Sequence, residues 1–286
     1  MLQIPLGTGL MAAGGVQLRF VGGLDGVTGL NQFDARAMPD GTDAVLFPGA
    51  AFLPYLAGDS RVRFDASHLL PLLASVSPGV IMIRGGFAAP RRGPVRLACA
   101  GGLTPEAVAL LALDLLNVPA LPVAIDADPL TAAQRGAADA VFVTGADVPG
   151  QLGRLTAAGL LPAATVGDKQ AALRNVNAPD VLALLPPERR NNDPLVSAWS
   201  GVAAAGVTGM VLAVPRLTPS GAIARWRMAC MSCLTDPAIA AETEPRSVSL
   251  LSDRAAEQAV SSVLISDAAA TALRGWLAMR LNWQPS

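Results

Sequence analysis

Basic side chains other than arginine are almost missing from this chain: among 286 residues there is one lysine, Lys169, and one histidine, His68. Each scarcity removes a class of chemistry. Aromatic residues make up 4% of the chain and charged residues 15%, the formal net charge is −1, and no arginine cluster interleaves with aromatics, so a nucleic-acid partner is not expected. A hydrolase triad would have only His68, which precedes an apolar run and reads as a helix-start or surface residue, and no G-x-S-x-G elbow follows a strand. Gly22, Gly23 and Gly26 lack the full dinucleotide fingerprint, and there is no G-x-x-x-x-G-K-[ST] loop, so no cofactor is expected. The three cysteines, Cys99, Cys230 and Cys233, do not form a disulfide framework. Cys230 and Cys233 make a C-x-x-C with no second pair and no neighbouring histidine, and read as buried apolar thiols. No apolar run is a membrane helix: 202–214 is too short and glycine-rich, and 107–125 is broken by Asp114, Asn117 and two prolines.

What is abundant is hydrophobic surface. At 52% hydrophobic residues the chain can bury a large core, as one large domain or two smaller ones. Strand and helix signals alternate, which predicts an α/β protein with mostly parallel sheets flanked by helices. The expected strands are 16–21, 44–47, 80–83, 95–98, 121–125 and 140–143, and the expected helices include 30–38, 105–116 and one around 129–135. Residues 175–193, with paired prolines and Asn191-Asn192, read as an exposed irregular connection. Two breaks in pattern, 84–94 and the strand before Pro215, read as crossings between lobes. They divide the chain into a discontinuous first lobe of 1–94 plus 215–286 and an inserted second lobe of 95–214 that includes the returning hinge strand.

The segment 208–240 carries the strongest local signal. Met210, Val211, Leu212, Ala213 and Val214 form an apolar run, Pro215 stops it, and Thr218 with Pro219 is an N-cap followed by proline at the first helical position. Ile223, Trp226, Ala229, Cys230 and Cys233 then recur at helical spacing up to Asp236-Pro237. This segment resembles the closing part of the extracytoplasmic solute-binding receptors of the tripartite tricarboxylate transporter family, the Bug receptors. Further pieces match in the same order. Pro39-Asp40-Gly41-Thr42 before Ala44-Val45-Leu46-Phe47 is similar to the family's PDGYTLL, and Phe64-Asp65 with Pro71-Leu72 and Pro78-Gly79-Val80 looks like its YDP..DFTPV passage. Arg96 to Thr104 takes the position of its glycine- and serine-rich loop, and Arg135-Gly136-Ala137-Ala138-Asp139-Ala140 resembles LGGQVDLMF. Order and spacing carry the resemblance from about Val16 to the C-terminus. The departures are a short stretch of 1–15 where the family has a strand, loop and helix, and Ala124-Ile125 where it has the tyrosine and lysine of VPYKG.

The resemblance implies a two-lobed periplasmic binding protein-like fold of type 2 with a ligand cleft between the lobes. It implies a small organic solute, a carboxylate, handed to membrane transporter subunits by a monomeric periplasmic receptor. Residues 1–15 show no signal-peptide pattern. On their own they read as cytoplasmic; the resemblance implies export with the signal peptide removed. Ligands of such sheets collect at the carboxyl ends of strands. The contacts expected there are Pro48, Gly49 and Ala50 from the first lobe, facing Cys99, Ala100, Gly101, Gly102 and Thr104, with Asp126, Thr144, Gly145, Asp147 and Thr208 at other strand ends. Gly101 and Gly102 would let backbone N–H groups at a helix start cradle a carboxylate without arginine. Phe52 and Tyr55 read first as core residues, and Asp128-Pro129 reads as a helix start in preference to a metal site with Asp126. No catalytic residue and no metal is expected. Two alternatives stand beside this reading: an enzyme such as a transferase or lyase using the same cleft, and a degenerate binding module acting through protein contacts.

Overall fold

The paired crossings of the chain between two sheets organise the molecule. The computed structural model describes residues 17–88, 93–100, 104–125, 128–167, 173 and 176–283. Among them, the first sheet has the order β1-β8-β2-β9, from β1 (Val45–Pro48), β8 (Thr208–Pro215), β2 (Leu69–Val76) and β9 (Ser249–Ser252). The second has the order β5-β4-β6-β3-β7, from β5 (Ala120–Ala124), β4 (Val95–Cys99), β6 (Ala140–Val143), β3 (Gly79–Arg84) and β7 (Leu160–Val166). In the second sheet β4 is parallel to β5 and β6, while β3 is antiparallel to both β6 and β7. Every strand of that sheet except β3 therefore points the same way, as expected of a mostly parallel sheet. The first sheet departs from the expectation: each of its pairings is antiparallel.

β2 was hidden in the sequence by Pro71, which cannot donate to a sheet ladder and so demotes a run as a strand. The structure places Pro71 at a register shift between Pro71 and Leu73, and all eight residues of β2 are buried. The shift puts two consecutive leucines, Leu72 and Leu73, into the same apolar cluster, which strict alternation forbids. With β2 in place, the outward crossing lies at Ser77-Pro78, between β2 and β3, earlier than the sequence placed it. β8 pairs with β1 and β2 in the first sheet, so sheet membership also moves the returning strand out of the segment 95–214. Ser77 N–H donates to Val207 O at 2.9 Å, tying the two crossings together.

Helices cover both faces of each sheet. On the outer face of the first, α9 (Ser220–Leu234) and α10 (Pro237–Thr243) bury Cys230, Cys233 and Ile239 against Leu70, Leu72, Leu212 and Val214. The thiols are free, and burial pushes Cys230 up to about 12 and raises Cys233. On the outer face of the second, α4 (Pro129–Gln134) and α5 (Val148–Ala157) cover Val80, Met82, Val141 and Val143. The inner faces share one continuous core. It gathers α2 (Phe52–Ala57), α3 (Ala107–Leu115), α8 (Pro194–Val207), α11 (Asp253–Ser261) and α12 (Asp267–Leu281). α1 (Val27–Arg36) adds Val27 and Leu30 to it.

Three local expectations change. Residues 17–23 form no strand, and Leu18 and Phe20 are exposed. The segment 175–193 contains α6 (Val181–Leu184) and α7 (Pro187–Asn192), because Pro186 and Pro187 fall at the N-cap and first position of α7, where a missing N–H costs nothing. α9 begins at Ser220 with Pro219 as its N-cap residue, so Thr218 is one position outside the cap and is buried against Gly41.

α8 is the piece shared by both halves. Asp193 caps it by accepting from Leu195 N–H at 2.9 Å, and small residues let neighbours come close. A Cβ at Gly201 would lie 2.8 Å from Ile265, and one at Gly206 would lie 2.5 Å from Val108. Trp199 Nε1 donates to Val108 O at 3.0 Å, anchoring α8 to α3. α12 is held to α3 by Asp114, which accepts from Trp276 Nε1 at 2.8 Å and from Arg280 Nε at 2.7 Å. Replacing Asp114 by Ala leaves the indole N–H without an acceptor and takes the counter-ion from a half-buried guanidinium that keeps only its bond to Ala120 O, and is expected to lower stability by about 2 kcal/mol. Urea unfolding checks this; an unchanged midpoint would show that α12 docks by apolar packing alone.

Candidate functional site

The loops that the sequence placed at strand ends meet where α8 turns into β8. Pro48 ends β1 opposite Met210, and Gly49, Ala50 and Ala51 form a single turn that leads into α2. A Cβ at Gly49 would lie 2.2 Å from Thr208 O and 2.6 Å from Thr208 Cβ, so this position admits only glycine. The start of α1 closes on the same turn, since a Cβ at Gly26 would lie 2.7 Å from Pro48 Cδ. From the second sheet, Pro105 O and the Phe142 ring come within 3.8 and 3.9 Å of the Cβ position at Gly206. The start of α1 thus packs on the Pro48 turn, that turn packs on Thr208, and the start of α3 packs on Gly206, with the N–H groups of Ala107, Val108 and Ala109 bonded to the carbonyls of Thr104, Pro105 and Glu106.

The expected contacts divide into several groups. Pro48, Gly49 and Thr208 are brought together, with Thr208 Oγ1 donating back to Ala204 O at 2.7 Å. Cys99 ends β4 opposite Ala124, and Ile125 N–H donates to Cys99 O at 2.9 Å. Burial raises the Cys99 thiol to about 12, and the charge of nearby Glu106 adds to that rise. Ala100 is exposed beside it, Thr104 is half-buried, and Thr144 and Gly145 follow β6, with Gly145 at φ +85 facing open space. Asp147 has another task. Its carboxylate accepts from Gly150 N–H at 3.1 Å to cap α5, and its own N–H donates across to Arg246 O at 3.1 Å. Gly101, Gly102 and Asp126 lie outside the described residues.

Sequence reading missed Glu106, Gly206 and Arg246. Glu106 is two residues beyond Thr104 and passed as an ordinary acid at a helix start, and Arg246 contributes its carbonyl, which no side-chain pattern reports. A cavity of about 380 Å³ lies between α3, β5 and the end of α12, lined by Cys99, Thr104, Ala107, Pro122 and Met279 among others. His68 lies elsewhere. Its Nδ1 is 3.0 Å from Asp34, which is about 12 Å along α1 from the end that meets Pro48. Among the described residues no helix is long and apolar enough to cross a membrane, and no group of three or more acidic, His or Cys side chains is placed to hold a metal.

This architecture is that of known receptors. The structure is similar to a TctC solute binding protein from Polaromonas, with a TM-score of 0.67 at 15% identity over 97% of this chain and 92% of that one. The fold is that of the TctC and Bug-type periplasmic solute-binding proteins. The periplasmic binding protein BugD matches with a TM-score of 0.55 at 17% identity, covering 97% and 91% of the two chains. MatC from Rhodopseudomonas palustris, with bound malate, matches with a TM-score of 0.54 at 15% identity, covering 95% and 92%. No protein-family model matches the chain, and no curated protein does.

Local packing separates two kinds of glycine among the expected contacts. Gly49→Ala drives a methyl into the Thr208 backbone, so it is expected to cost more than about 2 kcal/mol of stability together with any ligand affinity. Gly145→Ala meets open space at φ +85 and should cost only about 1 kcal/mol. Thermal melts of the two variants check the contrast, and equal melting temperatures would remove the constraint assigned to the Gly49–Thr208 contact.

Proposed function

We propose that the chain is an extracytoplasmic solute-binding protein that captures a small organic carboxylate between its two halves and delivers it to a membrane transporter. The observation that carries this reading is the fold shared with periplasmic solute-binding proteins over nearly the whole chain, in which the Pro48–Ala51 turn of the first half and the start of α3 in the second both pack on the α8–β8 junction. Such a site holds an anion by oriented backbone dipoles and hydroxyls. The similarity to solute-binding proteins over nearly the whole length of both chains, one of them holding malate, supports the same class of ligand.

In this reading the first lobe comprises the segments before Ser77 and from Thr208 onward, and the second comprises the chain between. Pro48, Gly49 and Ala50 form one wall of the cleft, and Cys99, Ala100, Thr104, Thr144 and Gly145 form the other. Gly101, Gly102 and Asp126 belong to the second wall by sequence position. The protein binds and releases without catalysis: the sole histidine sits on the surface with Asp34, and the Cys99 thiol stays protonated at neutral pH.

Binding then closes the lobes, and a ligand that touches both favours the closed state by its differential affinity. Trp199 is the natural reporter, because its indole bridges α8 and α3. Titrating mono- and dicarboxylates is expected to change Trp199 fluorescence and reduce the radius of gyration by small-angle scattering, with a Trp199→Phe variant as the optical control. A tenfold rise in ionic strength should weaken binding by less than about threefold, since oriented donors in a partly dry cleft are screened less than exposed charges. Absence of binding across the panel would refute carboxylate capture. A steep salt dependence would refute the dipole mechanism alone.

A further inference from the structure

An exposed helix face is ordinarily made of polar and charged residues. α9 does the opposite on the face turned away from the first sheet. Its buried residues are Ala222, Cys230 and Cys233, and on the other side Gly221, Ala224, Met228 and Met231 are exposed at steps of three and four, which makes one continuous stripe. Leu217 stands just before the first turn and is 83% exposed, while Met228 and Met231 are 64% and 47% exposed. A Cβ at Gly221 would meet nothing within 4 Å, so that end of the stripe is open. Arg225 is the one exposed charge on the helix, since Arg227 is half-buried.

The two flanks of the stripe differ in charge, because residues two positions apart lie on opposite sides of a helix. On one flank Arg227 leans on α11. Its Nε is 2.6 Å from Asp253 Oδ1 and its Nη2 is 3.7 Å from Glu257 Oε1, so two carboxylates share one guanidinium and the group is net negative. Met231 lies on the same flank, its sulfur accepting from Ser252 Oγ at 3.9 Å. On the other flank Ala222 packs on Gly41, and Arg225 lies on that side with no partner for its guanidinium among the described residues.

Stripes with this spacing are covered in helix pairs, where an apolar seam is flanked by charges that set partner and orientation. Methionine and arginine are favoured at protein contacts, and acidic residues are depleted from their centres. The charges select the partner. In a parallel two-fold pair each flank meets the opposite flank of the other copy, which sets Arg225 against the Asp253–Glu257 group twice. In an antiparallel pair each flank meets its own equivalent, and Arg225 would face Arg225.

We propose that the outer face of α9 is the contact through which two copies of this protein associate, with their α9 helices parallel, in place of the monomer that the resemblance implies. Gly221 and Ala224 bring the two backbones together at one end of the seam, and Met228 and Met231 fill the other. α9 covers the outer face of the first sheet, so the pairing leaves the inner core and the second half of each copy uninvolved. The strip from Leu217 to Thr235 is about 27 Å long and one helix, about 10 Å, wide. That is smaller than the roughly 800 Å² per partner of a standard interface, so the pair is reversible, with a dissociation constant of about 10 to 500 µM.

Sedimentation equilibrium of the full chain tests this, with the mean mass expected to rise from monomer toward dimer as concentration increases. Ala224→Glu puts a carboxylate into the seam at an exposed position, and is expected to hold the protein monomeric without changing the melting temperature of the dilute protein. Arg225→Glu, and separately Glu257→Arg, should weaken association by at least about tenfold, because two attractions become two repulsions. The double variant restores both attractions with the charges exchanged and should return to within about threefold of the original. A monomer at every concentration up to about 1 mM would overturn the pairing and leave this face to a different protein. Association that Ala224→Glu leaves intact, or a double variant no tighter than the single ones, would overturn it as well.

Discussion

The antiparallel pair of β2 and β8 is the constraint on which the rest of the molecule hangs. β2 is buried throughout, β8 is buried from Val211 to Val214, and the chain leaves the first sheet from the end of one and returns at the start of the other. The registers near the crossing are irregular by necessity. Ser75 pairs with Met210 and Val76 with Thr208, so Gly209 is the extra residue of a bulge, and a Cβ on it would lie 2.8 Å from Ser75 Oγ. Ser75 Oγ in turn accepts from Met210 N–H at 2.8 Å, which satisfies the backbone donor that the bulge displaces. The two crossings are therefore tied to each other by Ser77 N–H on Val207 O as well as by the bulge.

α8 spans the same junction and packs on both halves. Its middle packs on the first half through Gly201, and its indole at Trp199 is bonded to α3 in the second. Glycine and alanine at the contacts allow approach to van der Waals distance, and close-packed surfaces of this kind shift between discrete arrangements more readily than they deform. Asp147 N–H meeting Arg246 O at the far side supplies a single main-chain contact between β6's loop and the first half. One such bond is worth roughly 1 kcal/mol.

Much of this fold was legible from the sequence, and the failures have physical causes. The strand at Ala140–Val143 and the helix at Pro129–Gln134 were found because apolar runs and an Asp-Pro start are local signals. β2 was lost because a single proline at a bulge looks the same as a proline that ends a strand. The passage from one sheet to the other falls at Ser77 and Pro78, which lie in a buried apolar setting with none of the composition that marks 84–94 as a crossing in the sequence. Site geometry was legible only as strand-end positions. Gly49 against Thr208 is a contact between residues far apart in sequence, and nothing in either neighbourhood announces it. Asp147 was read as a ligand contact by position, whereas its side chain caps α5; the two roles share one sequence signature.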